Sequence, residues 1–325
     1  MAEPLLEVTD LAVDYLTDAE DVRAVDRVSF TVEQGEFVSI VGESGSGKST
    51  LLFGVGQLLS PPGEVAGGKV MFHGRDMVQV GRDELRHMRW RDYSIVMQSA
   101  MNALNPMKSI GAQFKDTLQA HGTLSAEEIR QRSEEVMNLV GIDAAHLDSY
   151  PHQLSGGMRQ RAMIAMALLF TPQLVMMDEP TSALDVVAQR SLMSKIRELQ
   201  RTLGFAVVFV THDMSVVSRY SDRVMVMYAG QIAESAPTAN IFEHPLHPYT
   251  RGLMDAFPSV TGPRRALLGI PGRPPDLARP PTGCRFHPRC PQRMPVCVST
   301  RPDLYPVGAA EVRCLLYTEH AEEAV

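Results

Sequence analysis

Two stretches near the start of the chain, residues 5–13 and 25–41, alternate apolar and polar positions and are rich in Val, Ile and Phe. Alternation with a period of two is typical of strands that bury one face. The second stretch ends in the apolar run Phe37–Val41, which a glycine-rich loop follows. The pattern from Lys48 to Leu59 then predicts a helix, and the Pro-Pro-Gly sequence shortly after it terminates that helix. We therefore expect a strand, a loop and a helix in succession.

Four further short apolar runs have the length and composition of buried strands: residues 94–97, 174–178, 206–211 and 224–228. Helical patterns separate most of them, and this alternation predicts a mainly parallel α/β sheet. From Gln98 to Pro172 strand character is lost, and Ser125 to Val140, with acidic residues near its start, predicts a helix. We therefore expect a helical subdomain, at about residues 99–173, inserted into the α/β core.

The last part of the chain has a different composition. From Pro258 onward prolines and glycines interrupt any regular pattern, as in Gly269-Ile-Pro-Gly-Arg-Pro-Pro275. We therefore predict two domains, a main domain at residues 1–257 and a C-terminal extension at residues 258–325.

Composition narrows the class of protein. With 325 residues, of which 44% are hydrophobic, the chain can bury one good-sized core and a smaller appendage. The apolar run Ala162–Phe170 is far shorter than the roughly 20 residues that a membrane-spanning helix needs, and residues 1–10 do not resemble a signal peptide. We therefore expect a cytosolic protein. The formal net charge of −7 argues against nucleic acid as the main partner.

The loop after the third predicted strand has the strongest chemical signal. Gly42-Glu-Ser-Gly-Ser-Gly-Lys-Ser49 fits the phosphate-binding pattern G-x-x-x-x-G-K-[ST] and lies between a strand and a helix, as that pattern requires. Glycines let main-chain N–H groups face the phosphates, and the N-terminus of the helix attracts the anion. A glycine-rich turn without a ligand is the alternative, which the strand–loop–helix context disfavours. The nucleotide-binding candidates here are Gly42, Ser44, Gly45, Gly47, Lys48, Ser49 and Thr50.

Within that loop two side chains have specific expected roles. Lys48 is expected to contact the β- and γ-phosphates, and the Ser49 hydroxyl to ligate Mg²⁺. The apolar run Leu174–Asp178 supplies a carboxylate at the C-terminal end of a strand, where α/β sheets bind ligands. We expect Asp178 to hold Mg²⁺ through water. Loop and carboxylate together predict a site for MgATP.

A second motif identifies the class of ATPase. Leu154-Ser-Gly-Gly-Met-Arg-Gln160 resembles the signature motif of the ATP-binding cassette (ABC) family, which other P-loop NTPases, including kinases and GTPases, lack. The resemblance implies a P-loop NTPase cassette, an α/β RecA-like core with an antiparallel β-subdomain and an inserted helical subdomain, here with a Cys-containing extension.

The same resemblance assigns the remaining site residues. It implies that Glu179 is the catalytic base, that His212 and Lys48 stabilise the γ-phosphate, and that Ser182–Asp185 is the D-loop, in which Asp185 lies near nucleotide. It further implies that Gln98 is the Q-loop glutamine, which senses the nucleotide and its Mg²⁺. Tyr15 is expected to stack on adenine.

The signature motif also implies a dimer. The main-chain amides of Ser155, Gly156 and Gly157 form a second anion nest at a helix start. In the family each ATP lies between one subunit's phosphate loop and the other's signature motif, so two sites form in a head-to-tail dimer.

Three stretches resemble the ATPases of oligopeptide and dipeptide importers, a group that also handles nickel and some sugars: Tyr150–Ala167, Asn105-Pro106, and His247–Arg251 followed by Gly283–Pro291. The resemblance implies a second, different ATPase subunit, two transmembrane permease subunits, an extracytoplasmic solute-binding protein and a peripheral location at the cytoplasmic face of the inner membrane. Residues 102–109 are expected to relay the nucleotide state to the permeases. A soluble ABC ATPase acting on nucleic acid or ribosomes is the alternative, and the chain has neither the second cassette nor the coiled-coil insertion typical of that class.

All four cysteines fall in the extension, with the spacing C-x5-C-x6-C-x16-C: Cys284, Cys290, Cys297 and Cys314. Structural disulfides are disfavoured in the cytosol, and zinc sites usually contain closer cysteine pairs. Four thiolates on a proline-rich loop suit a [4Fe–4S] cluster. The resemblance to the importer ATPases also implies such a cluster, because relatives of this extension carry one. Zinc and unligated thiols stay open as alternatives. The expected cofactors are thus ATP, Mg²⁺ and a [4Fe–4S] cluster.

Overall fold

The computed structural model describes residues 3–18, 20–98, 103–182, 184–256 and 269–318. Its strands are β1 Leu6–Tyr15, β2 Val22–Val32, β3 Phe37–Val41, β4 Gly63–Phe72, β5 Arg75–Asp76, β6 Tyr93–Val96, β7 Leu174–Asp178, β8 Ala206–Val210, β9 Arg223–Tyr228, β10 Gln231–Pro237, β11 Tyr305–Val307 and β12 Ala310–Val312. Its α-helices are α1 Lys48–Val55, α2 Arg82–Met88, α3 Ile110–His121, α4 Ala126–Leu139, α5 Gly156–Ala167, α6 Val186–Leu203, α7 Met214–Tyr220, α8 Thr238–Glu243 and α9 Pro248–Asp255. Short 3₁₀ helices occupy Ala144–Asp148, Pro151–Gln153, His287–Arg289, Pro295–Val298 and Leu315–Tyr317.

The chain forms two compact units that each combine distant segments. The first unit comprises Met1–Glu3, Val32–Phe37 and Gln79–Phe209, and the second comprises Pro4–Thr31, Val38–Val78 and Val210–Val325. The predicted domain boundary at residues 257 and 258 lies outside the described residues, so it stays a prediction.

The first unit contains strands β8, β7 and β6, in that order, and helices α2 to α6. Strands β6 and β7 pair in parallel, with Tyr93 opposite Leu174, and β7 is buried along its whole length. Continuous burial explains why β7 has no polar alternation, as in other parallel sheets covered on both faces. Helices α3, α4 and α5 fill the segment predicted to be helical, and its described residues contain no strand.

Two sheets build the second unit. The smaller has the strand order β2-β1-β4-β5, in which β1 pairs antiparallel with β4 and β4 with β5. The other strands follow the order β11-β12-β10-β9-β3, in which only β3 and β9 are parallel. The fold class is thus confirmed, with an α/β core, an antiparallel β-subdomain and a helical segment. Strand β12 of the extension pairs antiparallel with β10, so the extension adds strands to this sheet.

An aromatic cluster attaches the extension to the rest of the second unit. Phe286 is buried, and its ring lies 5.1 Å from that of Tyr228 on β9 and 5.5 Å from that of Tyr249 on α9. Aromatic contacts in this range stabilise by about 0.5–1.5 kcal/mol beyond simple burial. The proline-rich segment around Phe286 is therefore packed into a core.

Some sequence predictions of elements are wrong in detail. The helix predicted to reach Leu59 ends at Val55, because Gly56 closes its last turn and Gln57 adopts a positive φ of 51°. Strand β4 was not predicted, since Gly67 and Gly68 and an irregular register with β1 break its alternation. Strand β10 was also missed. It buries the carboxylate of Glu234, a residue whose presence indicates a loop rather than a core strand.

Candidate functional site

The phosphate loop joins the fully buried strand β3 to helix α1. At two positions of this loop the surrounding main chain leaves room only for glycine. A Cβ atom on Gly42 would lie 2.2 Å from the carbonyl oxygen of Met227, and one on Gly47 would lie 2.4 Å from that of Ala24. Both glycines also have positive φ, 151° and 99°. Neither position can hold a side chain without moving the main chain. The loop is therefore enclosed by β9 and β2.

Lys48, at the first position of α1, is 7% exposed. Its Nζ donates hydrogen bonds to the carbonyl oxygens of Gly42, at 2.9 Å, and of Glu43, at 2.8 Å. No side chain caps the N-terminus of α1, whose N-cap residue is Gly47. Main-chain N–H groups at an uncapped helix start bind anions well. The structure thus places Lys48 and a helix N-terminus together, as the phosphate-site prediction requires.

Tyr15, the predicted adenine-stacking residue, ends β1 beside this helix. Its hydroxyl lies 3.3 Å from Oγ1 of Thr50, and the residue is partly exposed. The structure therefore brings together Tyr15 and the loop's helix, whose chain positions are 35 residues apart. Stacking on adenine stays a prediction.

The predicted carboxylates lie at the end of β7 in the first unit. Asp178 is buried at 2% exposure, and Glu179 follows it with a positive φ of 42°. Left-handed backbone at a residue other than glycine is strained and concentrates at functional sites. Gln98 Nε2 donates to Glu179 Oε2 at 2.8 Å, although 81 residues separate the two. The predicted Q-loop glutamine and the predicted catalytic base therefore form a pair.

His212 follows β8 and has an exposed side chain. Its neighbours hold the turn, since the Asp213 N–H donates to Thr211 Oγ1 at 3.0 Å and the Asp213 carboxylate caps α7. An exposed histidine on a braced turn suits the predicted switch role, which stays a prediction.

The signature motif begins helix α5 in the first unit. Ser155 is the N-cap, and its Oγ accepts a hydrogen bond from the Met158 N–H at 3.3 Å. A Cβ atom on Gly157 would meet no atom within 4 Å. A cavity of about 320 Å³ adjoins the motif, and Ser155, Gly157, Arg161 and His146 are among its lining residues. The motif thus faces open space.

The D-loop aspartate also caps a helix. Asp185 Oδ1 accepts from the N–H groups of Val187 and Ala188, both at 2.9 Å, at the start of α6. The side chains of Val186 and Val187 are 64% and 78% exposed, which is unusual for valine. Ala183 lies outside the described residues, as do Ser99–Asn102 after Gln98.

The four thiols of the extension share one neighbourhood, but the described residues do not arrange them as a metal site. The described residues include all four cysteines, and among these residues no three His, Cys, Asp or Glu side chains are arranged to hold a metal ion. Cys297 packs with Met294 and Leu315, with Cys284 beside them. The expected [4Fe–4S] cluster is therefore not supported by this arrangement.

The same burial raises the pKa of three of these thiols. Burial, followed by the neighbouring thiols, raises the pKa of Cys314 to about 12. Burial also raises the pKa of Cys284, to about 11, and that of Cys290. Since a metal binds thiolates, an ion would have to displace protons from this apolar cluster.

Three contacts of the phosphate loop were not predicted from the sequence. The Glu43 N–H donates to Tyr249 Oη at 2.9 Å, and the Glu43 carboxylate accepts from Arg289 Nη1 at 2.7 Å and Nη2 at 3.0 Å. The partners lie 206 and 246 residues along the chain, where no periodic signal connects them. The only signal was that both segments, His247–Arg251 and Gly283–Pro291, belong to the importer resemblance.

Two family profiles match the chain. The ABC transporter profile covers residues 25–182, and the profile for the C-terminal region of oligopeptide/dipeptide transporters covers residues 233–297. Among curated proteins, the chain is 41% identical to the dipeptide transport ATP-binding protein DppD of Caldanaerobacter subterraneus, over 97% of this chain and 98% of that protein. It is 42% identical to the oligopeptide transport ATP-binding protein OppD of Salmonella typhimurium, over 93% and 90%.

Solved structures of ABC cassettes also resemble the chain. A bacterial ABC transporter cassette solved as a dimer matches with a TM-score of 0.65 and 30% identity, over 72% of this chain and 98% of that one. A post-hydrolysis dimer of an ATP-binding cassette with bound ADP and Pi matches with a TM-score of 0.64 and 29% identity, over the same shares. Within the part of the chain that the structure describes, no helix is long and apolar enough to span a membrane.

Proposed function

The chain belongs to the ABC transporter ATP-binding proteins of the dipeptide and oligopeptide transport family, and from this premise we propose that it hydrolyses MgATP to drive peptide import through separate membrane subunits. The end of β7 carries the proposal. There a buried strand ends in Asp178, and Glu179, which has a left-handed backbone, accepts a hydrogen bond from Gln98. Relatives named for transport favour this function over an ATPase acting on nucleic acid or ribosomes.

In the proposed mechanism Glu179 accepts the proton of the attacking water as the γ-phosphate is displaced in line. Gln98 holds the Glu179 carboxylate in one orientation through the observed hydrogen bond. Lys48 leaves the loop carbonyls that it now contacts and pairs with the β- and γ-phosphates, while His212 contacts the γ-phosphate.

The residues proposed for the metal and the purine fit their partners chemically. Ser49, Gln98 and Asp178 offer the oxygen ligands that Mg²⁺ prefers, and the bound ion would neutralise charge on the phosphates. Tyr15 provides an aromatic face for adenine. Gly42, Ser44, Gly45, Gly47 and Thr50 complete the proposed contacts of this chain with its own nucleotide.

We further propose that the open signature motif, Ser155–Gly157, serves a nucleotide held by a second ATPase subunit, and that Asp185 belongs to the same interface. The partner ATPase is a different chain, and the complex contains two transmembrane permease subunits and an extracytoplasmic solute-binding protein. The chain would then work at the cytoplasmic face of the inner membrane. Identifying the solute on a co-purified binding protein tests the peptide assignment, and a bound sugar or nickel would correct it.

Replacing Glu179 by Gln tests the proposed chemistry. The amide still accepts from Gln98 Nε2, so nucleotide binding should persist, while hydrolysis should slow by about 10²- to 10⁴-fold because the base is lost. Glu134→Gln is the matched control, since Glu134 pairs with Arg130 on the surface of α4. Affinity and turnover for MgATP are measured for both variants. Near-normal turnover of Glu179→Gln would remove Glu179 from the role of base.

The [4Fe–4S] cluster stays a proposal from the sequence. It is supported by the confinement of four thiols to one packed segment, and the arrangement of donors found here does not fit it, so no step of the mechanism uses it. Iron, sulfide and zinc analysis of anaerobically purified protein tests the cluster. About four irons and four sulfides per chain support it. One zinc would correct the metal, and no metal would end the proposal.

A further inference from the structure

The phosphate loop carries one acidic side chain, and an arginine of the C-terminal extension holds it. Arg289 Nη1 donates to Glu43 Oε2 at 2.7 Å and Nη2 donates to Oε1 at 3.0 Å. This is the bidentate geometry in which arginine binds a carboxylate most strongly. The Arg289 side chain is 5% exposed and that of Glu43 is 27% exposed, so solvent screens the pair weakly.

Contacts other than the pair with Glu43 also hold the Arg289 side chain in place. Its Nε donates to the carbonyl oxygen of Pro271 at 2.8 Å, and its guanidinium lies over the Tyr228 ring at 5.8 Å. Arginine keeps its positive charge at all physiological pH values. The guanidinium therefore presents a rigid, permanent positive charge to the loop.

The main chain of Glu43 belongs to the same network. Its N–H donates to Tyr249 Oη, and its carbonyl oxygen accepts from Lys48 Nζ at 2.8 Å. The position of the Glu43 side chain is thus linked through one residue to the lysine proposed to bind the phosphates. Without a partner, the Glu43 carboxylate would also place a negative charge in the loop that receives the triphosphate, and like charges at short range repel strongly.

A second arginine of the same segment supports the other side of the loop. Arg285 donates to the carbonyl oxygen of Ala229 and pairs with Asp26 at 2.5 Å. The next residue, Gly230, donates its N–H to the carbonyl oxygen of Ser46 at 2.9 Å. The segment between Cys284 and Cys290 therefore reaches the loop directly at Glu43 and through one residue at Ser46.

We propose that Arg289 is a positioning residue of the phosphate loop, which fixes Glu43 and neutralises its charge, so that the C-terminal extension is a working part of the ATP site. The proposal rests on the proposed role of the Lys48 loop in binding ATP. If the proposal holds, the extension is not a separate domain without a part in ATP binding.

The test compares MgATP dissociation constants of full-length variants by calorimetry. Arg289→Ala should weaken binding about tenfold, the equivalent of one charge-assisted hydrogen bond. Adding Glu43→Gln to Arg289→Ala removes the unpaired charge and should recover most of that loss. Arg289→Lys keeps the buried positive charge but loses the fork, so its affinity should lie between those of wild type and Arg289→Ala. This variant also serves if Arg289→Ala fails to fold.

Arg313→Ala is the matched control for mere loss of stability. Arg313 belongs to the same extension and is half-buried, and it donates to the carbonyl oxygens of Ile232 and Pro302, at 3.0 and 3.1 Å, rather than to the phosphate loop. Its removal should lower the melting temperature but change the dissociation constant less than twofold. Equal weakening by Arg313→Ala and Arg289→Ala, or a double variant no better than Arg289→Ala alone, would overturn the proposal.

One more variant separates this proposal from the proposed function. Lys48→Ala should abolish MgATP binding if the loop is the nucleotide site. Normal binding by Lys48→Ala would refute the loop as the ATP site, and the role of Arg289 with it. Lost binding by Lys48→Ala together with unchanged binding by Arg289→Ala would refute the role of Arg289 alone.

Discussion

Two glycine-rich turns of this chain each precede a helix, and they differ in what surrounds them. In the phosphate loop, a Cβ atom on Gly42 or Gly47 would collide with main-chain carbonyl oxygens at 2.2 and 2.4 Å. In the signature motif, a Cβ atom on Gly157 would meet nothing within 4 Å. Lys48 is buried in the first turn, whereas Ser155 caps α5 at the exposed end of the second.

The different surroundings of the two turns bear on why each contains glycine. The folded chain itself requires Gly42 and Gly47, because strands β9 and β2 leave no room for side chains there. Nothing in the described part of the chain requires Gly157, and Ala is a better helix former by about 1 kcal/mol. Open space at Gly157 leaves room for the proposed nucleotide of another subunit.

The largest expected effect comes from filling the enclosed turn. Gly47→Ala adds a methyl group at a φ of 99° against the Ala24 carbonyl oxygen, so we expect a loss of about 2–6 kcal/mol in stability and a loss of MgATP affinity of more than about a hundredfold. Thermal melting and equilibrium binding measure both. Gly204→Ala is the control, because Gly204 also has positive φ, 74°, but open space around its Cβ. Equal losses from the two variants would show that backbone strain, not enclosure, governs the phosphate loop.

The open turn should respond in the opposite way. Gly157→Ala should leave the melting temperature of the isolated chain unchanged or slightly raised, and its own MgATP binding intact. In the assembled transporter the methyl group would enter the space of the partner's nucleotide and slow ATP hydrolysis by about tenfold to a hundredfold. Normal hydrolysis by an assembled Gly157→Ala complex would contradict the interpretation of the signature motif as a ligand site.

The smallest expected effect concerns pH and the support of the enclosed turn. His247 caps α9, where its Nδ1 accepts the Tyr249 N–H at 3.0 Å, and burial lowers its pKa to about 3. As pH falls, the unfolded chain protonates His247 near pH 6.5, whereas the folded chain does so only near pH 3. The stability that neutral His247 contributes is therefore present above about pH 6.5 and is lost as pH falls toward 3. Glu234 contacts the His247 N–H, and burial raises its pKa, an effect of opposite sign.

His247→Asn isolates the histidine, since asparagine can cap a helix without titrating in this range. Between pH 6.5 and pH 5, wild type should lose about 2 kcal/mol relative to the variant, at about 1.4 kcal/mol per pH unit. Denaturant unfolding of both proteins across this range measures the difference. A constant difference between them would show that His247 does not titrate on unfolding.

Local chemistry explains which parts of the fold the sequence predicts well. Helix α4 begins and ends within one residue of the prediction, and the capping box of Ser125 with Glu128 explains where it begins. Strand β7 matches its prediction because four consecutive apolar residues, Leu174–Met177, end in the buried Asp178. Strand β10 escaped prediction because its buried Glu234 is satisfied by the N–H groups of Leu246 and His247, contacts that no local pattern contains.

The same distinction applies to the candidate site, where some residues can be predicted from the sequence and others cannot. Motifs that are contiguous in the chain, such as the loop at Gly42–Ser49 and the signature at Leu154–Gln160, can be found because their spacing alone carries the chemistry. The roles of Gln98 and Glu179 follow from the family resemblance, and their hydrogen bond was not predicted. The pair of Glu43 with Arg289 has no periodic sequence signal, since 246 residues separate its members and the segment that carries Arg289 packs through Phe286.

The most direct measurement uses a transporter complex in which only this chain carries Ser155→Arg. Labelled ATP is crosslinked to each ATPase subunit, and hydrolysis of the nucleotide on each is followed separately. If the signature motif serves the partner's nucleotide, this chain keeps its ATP at the Lys48 loop while hydrolysis fails at the partner's loop. Loss of ATP from the altered chain itself, with normal hydrolysis on the partner, would contradict the head-to-tail account.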